Sequence, residues 1–351
     1  MSVWSSADGG ATTRPPDEKV VQDMLYRIRR CNSTPEYVRS SLLDFVVDGK
    51  ALGRVTPKVA ELLCSSGPER VFRLARGNDS HNGDWNGYGD YLTLTEAAGP
   101  TVESRTDAVM SVMESLRSRG VITGWRDELF PVSTSFYDKP ALLVERAAAP
   151  YLGALEYGIH INGLVEQDRY DERGEVKMWM ARRSATKSKY PGMLDHIVAG
   201  GQPAGLSLMD NVIKECEEEA GVPMSLAKEK IRSAGAISYE TFVRRRSNGG
   251  DTGLGEDSAK IDGVVSRVIL FCYDLRLPSN FIPQPMDGEV ESFFTWSMDE
   301  VKTSICQDFP DPLKPNCYPV IIDYLLRMGQ VSPETPGYLD VLRELRNGDC
   351  Q

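Results

Sequence analysis

Three glutamates in the segment Gly200–Val222, GGQPAGLSLMDNVIKECEEEAGV, are spaced for joint work on one ligand. At about 100° per residue, a helix over this stretch puts Glu215, Glu218 and Glu219 on one face and Met209, Val212, Ile213, Cys216 and Ala220 on another. Like charges at i, i+3 and i+4 repel, and the C-terminal half of a helix disfavours anions. A hard divalent cation with oxygen ligands, magnesium first and manganese as its substitute, would offset both effects and would share its shell with a substrate's phosphates. A solvated acidic face is the alternative.

Phosphate chemistry would also need cations. The run ARRSATKSK places Arg182, Arg183, Lys187 and Lys189 at the end of a strand just before Gly200 and Gly201. Arg suits bidentate phosphate contacts and Lys supplies a point charge, so Arg182, Arg183 and Lys187 are the candidate substrate grips, with a solvated strand edge as the alternative. Further along, Glu289 and Glu291 alternate onto one face of a strand. Either is a candidate remote base or extra metal ligand. Trp125, Trp179, Tyr239 and Phe242 are candidates to stack on a heteroaromatic ring, although core packing is their commoner use, and Arg244, Arg245 and Arg246 read as a solvated border.

The elements that must position these groups follow from periodicity. A helix is predicted over Asp17–Arg30, a hairpin over Leu42–Val55 around Asp48-Gly49-Lys50, a helix over Pro57–Cys64, a strand at Arg70–Leu74 and a helix over Arg105–Arg119 stopped by Gly120. Gly77–Gly89 is a Gly/Asn/Asp-rich loop. Beyond Leu142 strands dominate: Ile159–Glu166 and Val176–Arg183 joined by the turn Asp168–Glu175, then Leu194–Ala199, and after a helix from Leu206 to Ala220 the strands Ile237–Arg245, Val264–Leu275 and Glu289–Trp296. Helices at Tyr318–Met328 and Tyr338–Asn347 close the chain.

Length and charge narrow the classes. At roughly 150 residues per domain, 351 residues make about two domains. Fifty-one acids against forty bases give a net charge of −11, which argues against a nucleic-acid partner but permits a phosphorylated small molecule bound through a cation. Seven scattered cysteines without a CxxC pair read as reduced thiols. His81, His160 and His196 make no short ligand pair, so no zinc site is expected. No run reaches the roughly 20 apolar residues of a membrane span and no secretory signal opens the chain. Residues 1–16 read as a disordered tail with a faint likeness to an organelle transit peptide, and the expected location is cytoplasmic or within an organelle.

The segment from Gly200 resembles the Nudix box, G-x5-E-x7-R-E-U-x-E-E-x-G-U, with Glu215, Glu218, Glu219, Gly221 and Val222 in register. Leu206 stands where the box has its first Glu, and Lys214 where it has Arg. The N-terminal half (FVVDGKALGRVTP, SRTDAVMSVMESLRSRGVITGWRDELFPV) is similar to the accessory domain of a Nudix subgroup linked to thiamine diphosphate chemistry, and the likeness continues at YGIHINGLV, ARRSATKSKYPGMLDHIVAGG and PNCYPVIIDYLL. The resemblance implies an α/β fold, a Nudix α/β/α sandwich with a mixed sheet over residues 146–351 preceded by an accessory domain over 17–145; the elements of the first half read as a smaller α+β unit, and the Gly/Asp-rich stretch at about 247–263 reads as a flexible insertion or long loop.

It also implies metal held by Glu215, Glu218 and Glu219, with Glu215 or Glu218 doubling as the base, and hydrolysis of thiamine diphosphate or its oxidised analogues to the monophosphate. A small-molecule diphosphate is thus the expected partner, with neither nucleic acid nor membrane, and the oligomeric state is left open. Hydrolysis of 8-oxo-guanine nucleoside diphosphates or other nucleotides is the alternative among enzymes. A ligand-binding Nudix module with weak turnover is the alternative outside them, for which Leu206 is the best argument. The related isoprenoid diphosphate isomerases lack support, since no Cys and Glu pair is placed for their protonation chemistry.

Overall fold

The computed structural model describes residues 16–67, 69–77, 89–166, 176–187, 189–245 and 261–348. The expected tail before Pro16, residues 78–88 of the glycine-rich loop, the Asp168–Glu175 turn and residues 247–260 of the insertion lie outside these, as do His81, Arg246 and Cys350.

Helix α1 (Pro16–Cys31) carries Asp17 and Glu18 in its first turn and Arg29 and Arg30 in its last, as the helix dipole favours. After the short α2 (Glu36–Arg39), strands β1 (Leu43–Val47) and β2 (Lys50–Val55) turn at Asp48 (φ 51°) and Gly49 (φ 72°), the two left-handed residues of a tight hairpin. Thr56 caps α3 (Pro57–Cys64) by accepting from the Val59 N–H. Strands β3 (Phe72–Ala75) and β4 (Tyr91–Leu94) complete a sheet of order β2-β1-β4-β3. Helix α4 (Val102–Ser118) opens with a Thr101/Ser104 capping box and buries Val109, Val112, Met113 and Leu116 in one core with Phe45 and Leu92. A ribbon of β5 (Leu129–Val132) and β6 (Leu142–Glu145) and the short α5 (Ala149–Leu152) join that core.

The second half is built on β7 (Leu155–Val165), β8 (Lys177–Arg183), β9 (Leu194–His196), β10 (Val198–Gly201), β11 (Ile231–Arg244), β12 (Gly263–Leu277) and β13 (Val290–Ser297). These form a mixed sheet of order β11-β12-β7-β8-β13, with β10 on β7 and β9 on β8; β12 runs parallel to β7. Strand β7 is buried on both faces. Its Ile159 and Ile161 share a core with Val212, Ile213 and Cys216 of α6 (Leu208–Ala220) and Ala227 of α7 (Met224–Lys230). The opposite face packs Met178, Met180, Leu270 and Cys272 in a core with α8 (Met298–Ser304), α9 (Cys317–Arg327) and α10 (Tyr338–Glu344). This is an α/β/α sandwich preceded by a smaller α+β body. Helix α1, which the sequence division assigns to the first unit, packs Met24, Leu25 and Ile28 into the core of the second.

Several expectations shift. The strand expected over Leu194–Ala199 is two, broken at Ile197 so that β9 pairs with β8 and β10 with β7. Leu206 precedes its helix, because Ser207 takes the N-cap and accepts from the Asp210 N–H. Among the described residues no helix is long and apolar enough to cross a membrane, and Cys31, Cys64, Cys216, Cys272, Cys306 and Cys317 are free thiols.

Candidate active site

The loop after β10 is tied to α6 from within. Asn211 Nδ2 donates to Gly201 O (2.7 Å) and to Gln202 Oε1 (3.1 Å), and Gln202 Nε2 donates to Leu206 O (2.8 Å). Leu206 therefore contributes its carbonyl to the loop while its side chain is 38% exposed. Gly200 lies close under Glu215: a Cβ there would lie 2.7 Å from Glu215 Cδ and displace the carboxylate end. At the other end Gly221 (φ 63°) closes α6 in the left-handed conformation, its N–H bonded to Glu217 O and that of Val222 to Cys216 O.

The three box glutamates do not share one environment. Glu219 is buried, and its Oε2 accepts from the Ala199 N–H of β10 at 3.0 Å. Burial, with the Glu215, Asp195 and Glu289 charges nearby, raises its carboxyl well above the usual range despite that hydrogen bond. Glu215 lies between α6 and Gly200 and is also raised by burial, against the opposing Lys214 charge. Glu218 is half exposed and takes Lys214 Nζ at 2.7 Å, while the same ammonium reaches Glu215 at 3.3 Å. Lys214 thus offsets part of the like-charge repulsion.

Glu219 is instead grouped with Asp287 and Glu289, whose oxygens lie with one of its own within 4.8 Å of one another. The strap that brings them docks on α6 through Gln284 N–H to Ala220 O (3.0 Å), then turns at Gly288 (φ 78°), where Asp287 Oδ1 accepts the Glu289 N–H at 2.8 Å. Sequence reasoning missed Asp287. The signal was its place two residues before Glu289, across a glycine, but only the docking of the strap makes it a neighbour of Glu219. The expected common face of Glu289 and Glu291 is broken by an irregular register between Val290 and Ser292, which leaves Glu289 partly buried and Glu291 exposed.

Each proposed phosphate grip has a carboxylate partner. Arg182 makes two bonds to Asp311 (3.1 and 2.5 Å), Arg183 Nη1 meets Asp195 Oδ2 at 2.6 Å, and Lys187 pairs with Glu289. Burial would raise Glu289, yet Lys187 outweighs it and holds the carboxyl below its ordinary value. Lys189 contributes its carbonyl to Arg183. The aromatic candidates are dispersed: Trp125 packs in the first core under Arg117, Trp179 on the α6 side, Tyr239 against the opposite core and Phe242 in a small cluster with Val265.

The first body reaches this region. Ala204 N–H donates to Leu129 O (2.9 Å), and a Cβ on Gly201 would lie 2.8 Å from the Phe130 ring and 3.0 Å from Arg146 Cζ. Arg146 pairs with Glu128 at 2.9 Å, and the Arg126 charge helps to lower Glu289.

A buried carboxylate raised by burial, two further carboxylates beside it and a glycine loop closed on a short helix form a cradle of hard oxygen donors. Against known proteins the chain is 38% identical over 341 residues to Nudix hydrolase 24, chloroplastic, of Arabidopsis thaliana, covering 96% of this chain and 81% of that one. The chain belongs to the Nudix hydrolase family. It is likewise 40% identical over 325 residues to Nudix hydrolase 20, chloroplastic, of the same plant, covering 92% of this chain and 78% of that one. Residues 23–156 match a family described as a domain of unknown function, DUF4743. Among solved structures it is similar to the MutT protein of Methanosarcina mazei Go1, with 14% identity, a TM-score of 0.33 and coverage of 50% of this chain and 95% of that one. This Nudix hydrolase is thus an enzyme whose box keeps its last three glutamates and replaces its first by Leu206.

Proposed function

We propose that this Nudix hydrolase is a divalent-cation-dependent pyrophosphohydrolase that cleaves the phosphoanhydride of thiamine diphosphate or an oxidised analogue, releasing the monophosphate and inorganic phosphate. The observation that carries the hydrolytic reading is the convergence of Glu219, Asp287 and Glu289 beside Glu215. Their oxygens suit magnesium or manganese, and the Glu219 carboxyl, raised chiefly by burial and further by its acidic neighbours, would gain from a cation placed among them. When bound, that cation neutralises the phosphate oxygens of the substrate. Glu215, raised by burial and positioned against Gly200, takes the proton of the attacking water as the phosphorus–oxygen bridge breaks. Glu218, exposed and bound to Lys214, tunes Glu215 through that shared ammonium.

Arg146 and Arg126 of the first body, together with Arg183, bound the phosphate side, and Gly200 and Gly201 let the loop approach closely. The chain-long resemblance, accessory body included, supports the thiamine reading. The partner is the small diphosphate alone, neither nucleic acid nor membrane, and the compartment is the cytoplasm or an organelle. The test is phosphate release with saturating magnesium, compared as kcat/KM over thiamine diphosphate, its oxidised forms and 8-oxo-guanine nucleoside diphosphate. A preference for the oxidised thiamine compounds supports the reading. A preference for the nucleotide transfers the function to nucleotide cleaning, and no turnover of any of them favours the binding module.

A further inference from the structure

We propose that His160, His196 and Cys317 form a second metal site, for an ion of the zinc class, in the core between the large sheet and α9 and separate from the carboxylate cradle. All three are buried, and one nitrogen of each ring and the Cys317 sulfur lie within 4.8 Å of one another. The two Nδ1 atoms are 3.1 Å apart. Zinc at about 2.0–2.1 Å from each of two nitrogens would hold them about 3.3 Å apart in a tetrahedron, so the rings need little movement to receive it. Histidine nitrogen and thiolate are the donors that zinc prefers, whereas the other cradle offers only oxygen.

The surroundings fit a held ion. His160 Nε2 lies 3.4 Å from the Asn316 amide, which also meets the Tyr239 hydroxyl at 3.3 Å, while Asn316 Oδ1 is buried without a partner among the described residues. With the amide turned over, that oxygen accepts the His160 Nε2–H and leaves Nδ1 as the ligand lone pair, the usual arrangement behind a metal-bound imidazole. Asp195 backs the sulfur: its Oδ1 takes the Cys317 thiol and the His196 backbone N–H, each at 2.9 Å, while its Oδ2 is held by Arg183 and Lys314. On loading, the Cys317 S–H bond is replaced by a sulfur–metal bond and the thiol proton leaves to solvent. Asp195 Oδ1, relieved of the thiol, keeps the His196 backbone N–H at 2.9 Å, and the new thiolate adds a buried anion against the charge of the ion.

The ion would staple β7, β9 and the first residue of α9, a few residues from the Ala199 N–H that holds Glu219. All three ligand residues are buried, so the site would be structural.

The full chain, expressed with zinc and stripped of loose metal by chelator during gel filtration, should retain about one zinc per chain by elemental analysis. Glu219→Gln should retain the same, which separates this site from the carboxylate cradle. Cys317→Ser and His196→Asn should lose at least about tenfold of it. Cobalt incorporated in place of zinc should give a sulfur-to-cobalt charge-transfer band in the parent, a readout that needs no variant to fold. A parent that retains no metal, neither after expression with zinc nor after refolding with it, overturns the proposal. So does metal that survives Cys317→Ser, or a cobalt spectrum without the sulfur band.

Discussion

Glu219→Gln separates a catalytic carboxylate from a structural one. The amide oxygen can keep the 3.0 Å bond from the Ala199 N–H, the volume is unchanged, and the side chain stays buried. What is lost is a charge. A carboxyl whose folded value is raised above its ordinary 4.5 binds more protons in the native than in the unfolded state, so its contribution to stability is complete below about pH 4.5 and is lost as the pH rises through the raised value. Metal-free parent protein should therefore lose stability from about pH 4.5 upward, and Glu219→Gln should flatten that loss and melt no lower than the parent at neutral pH. Adding magnesium to about 100 times its Kd should stabilise the parent by about 2.7 kcal/mol, or roughly 5–10 °C in Tm for a body of this size. The same addition should shift the variant far less. Turnover should fall at least about a hundredfold, the scale of losing a principal electrostatic group, equivalent to about 2.7 kcal/mol in the barrier. Differential scanning fluorimetry across pH, with and without magnesium, and a phosphate-release assay measure all of this. Parent-like turnover, or a variant that melts markedly lower without metal, would refute the assignment.

Other perturbations test the neighbouring groups. Exhaustive chelation should abolish hydrolysis and magnesium or manganese should restore it, as followed by phosphate release; activity without metal would contradict the cradle. Asp287→Asn should resemble Glu219→Gln in turnover, whereas Glu218→Gln, half exposed and away from the strap, should cost no more than about tenfold; equal losses in the two would return the metal to the helix face alone. Gly200→Ala puts a Cβ 2.7 Å from Glu215 Cδ, so the carboxylate end must turn aside, and kcat should fall with little change in Tm. Arg146→Ala should raise KM with little change in Tm, because its pair with Glu128 is partly exposed and worth at most about 1 kcal/mol.

The parts legible in the sequence are those fixed by local chemistry. The Asp48-Gly49 hairpin announces itself because its turn needs left-handed residues, and α6 because its apolar stripe and Gly221 stop fall within one short segment. The four-residue strands β4, β5 and β6 are too short to show a period, and β5 contains Pro131. Asp287 was invisible because its role depends on the Gln284–Ala220 bond, and the pairing of Arg182 with Asp311 because the partner lies far along the chain. His160, His196 and Cys317 show no ligand spacing for the same reason: two neighbouring strands and a helix N-terminus assemble them.

The pattern of ion pairs also gives the first body a physical purpose. In the second body the cations nearest the glycine loop already answer local carboxylates: Lys187 the metal-side Glu289, Arg183 the buried Asp195, and Lys214 two box glutamates. On the proposed function, a diphosphate arriving with its own negative charge would meet a protein of net charge −11, and divalent cations at the cradle would address only the oxygens that face it. From the first body, Arg146, itself paired with Glu128, lies against Gly201, while Arg126 acts electrostatically on Glu289. The Ala204–Leu129 hydrogen bond and the Phe130 contact at Gly201 fix that wall in place. The first body thus touches the glycine loop, and a substrate preference that followed the whole chain rather than the box alone would mark it as part of the site.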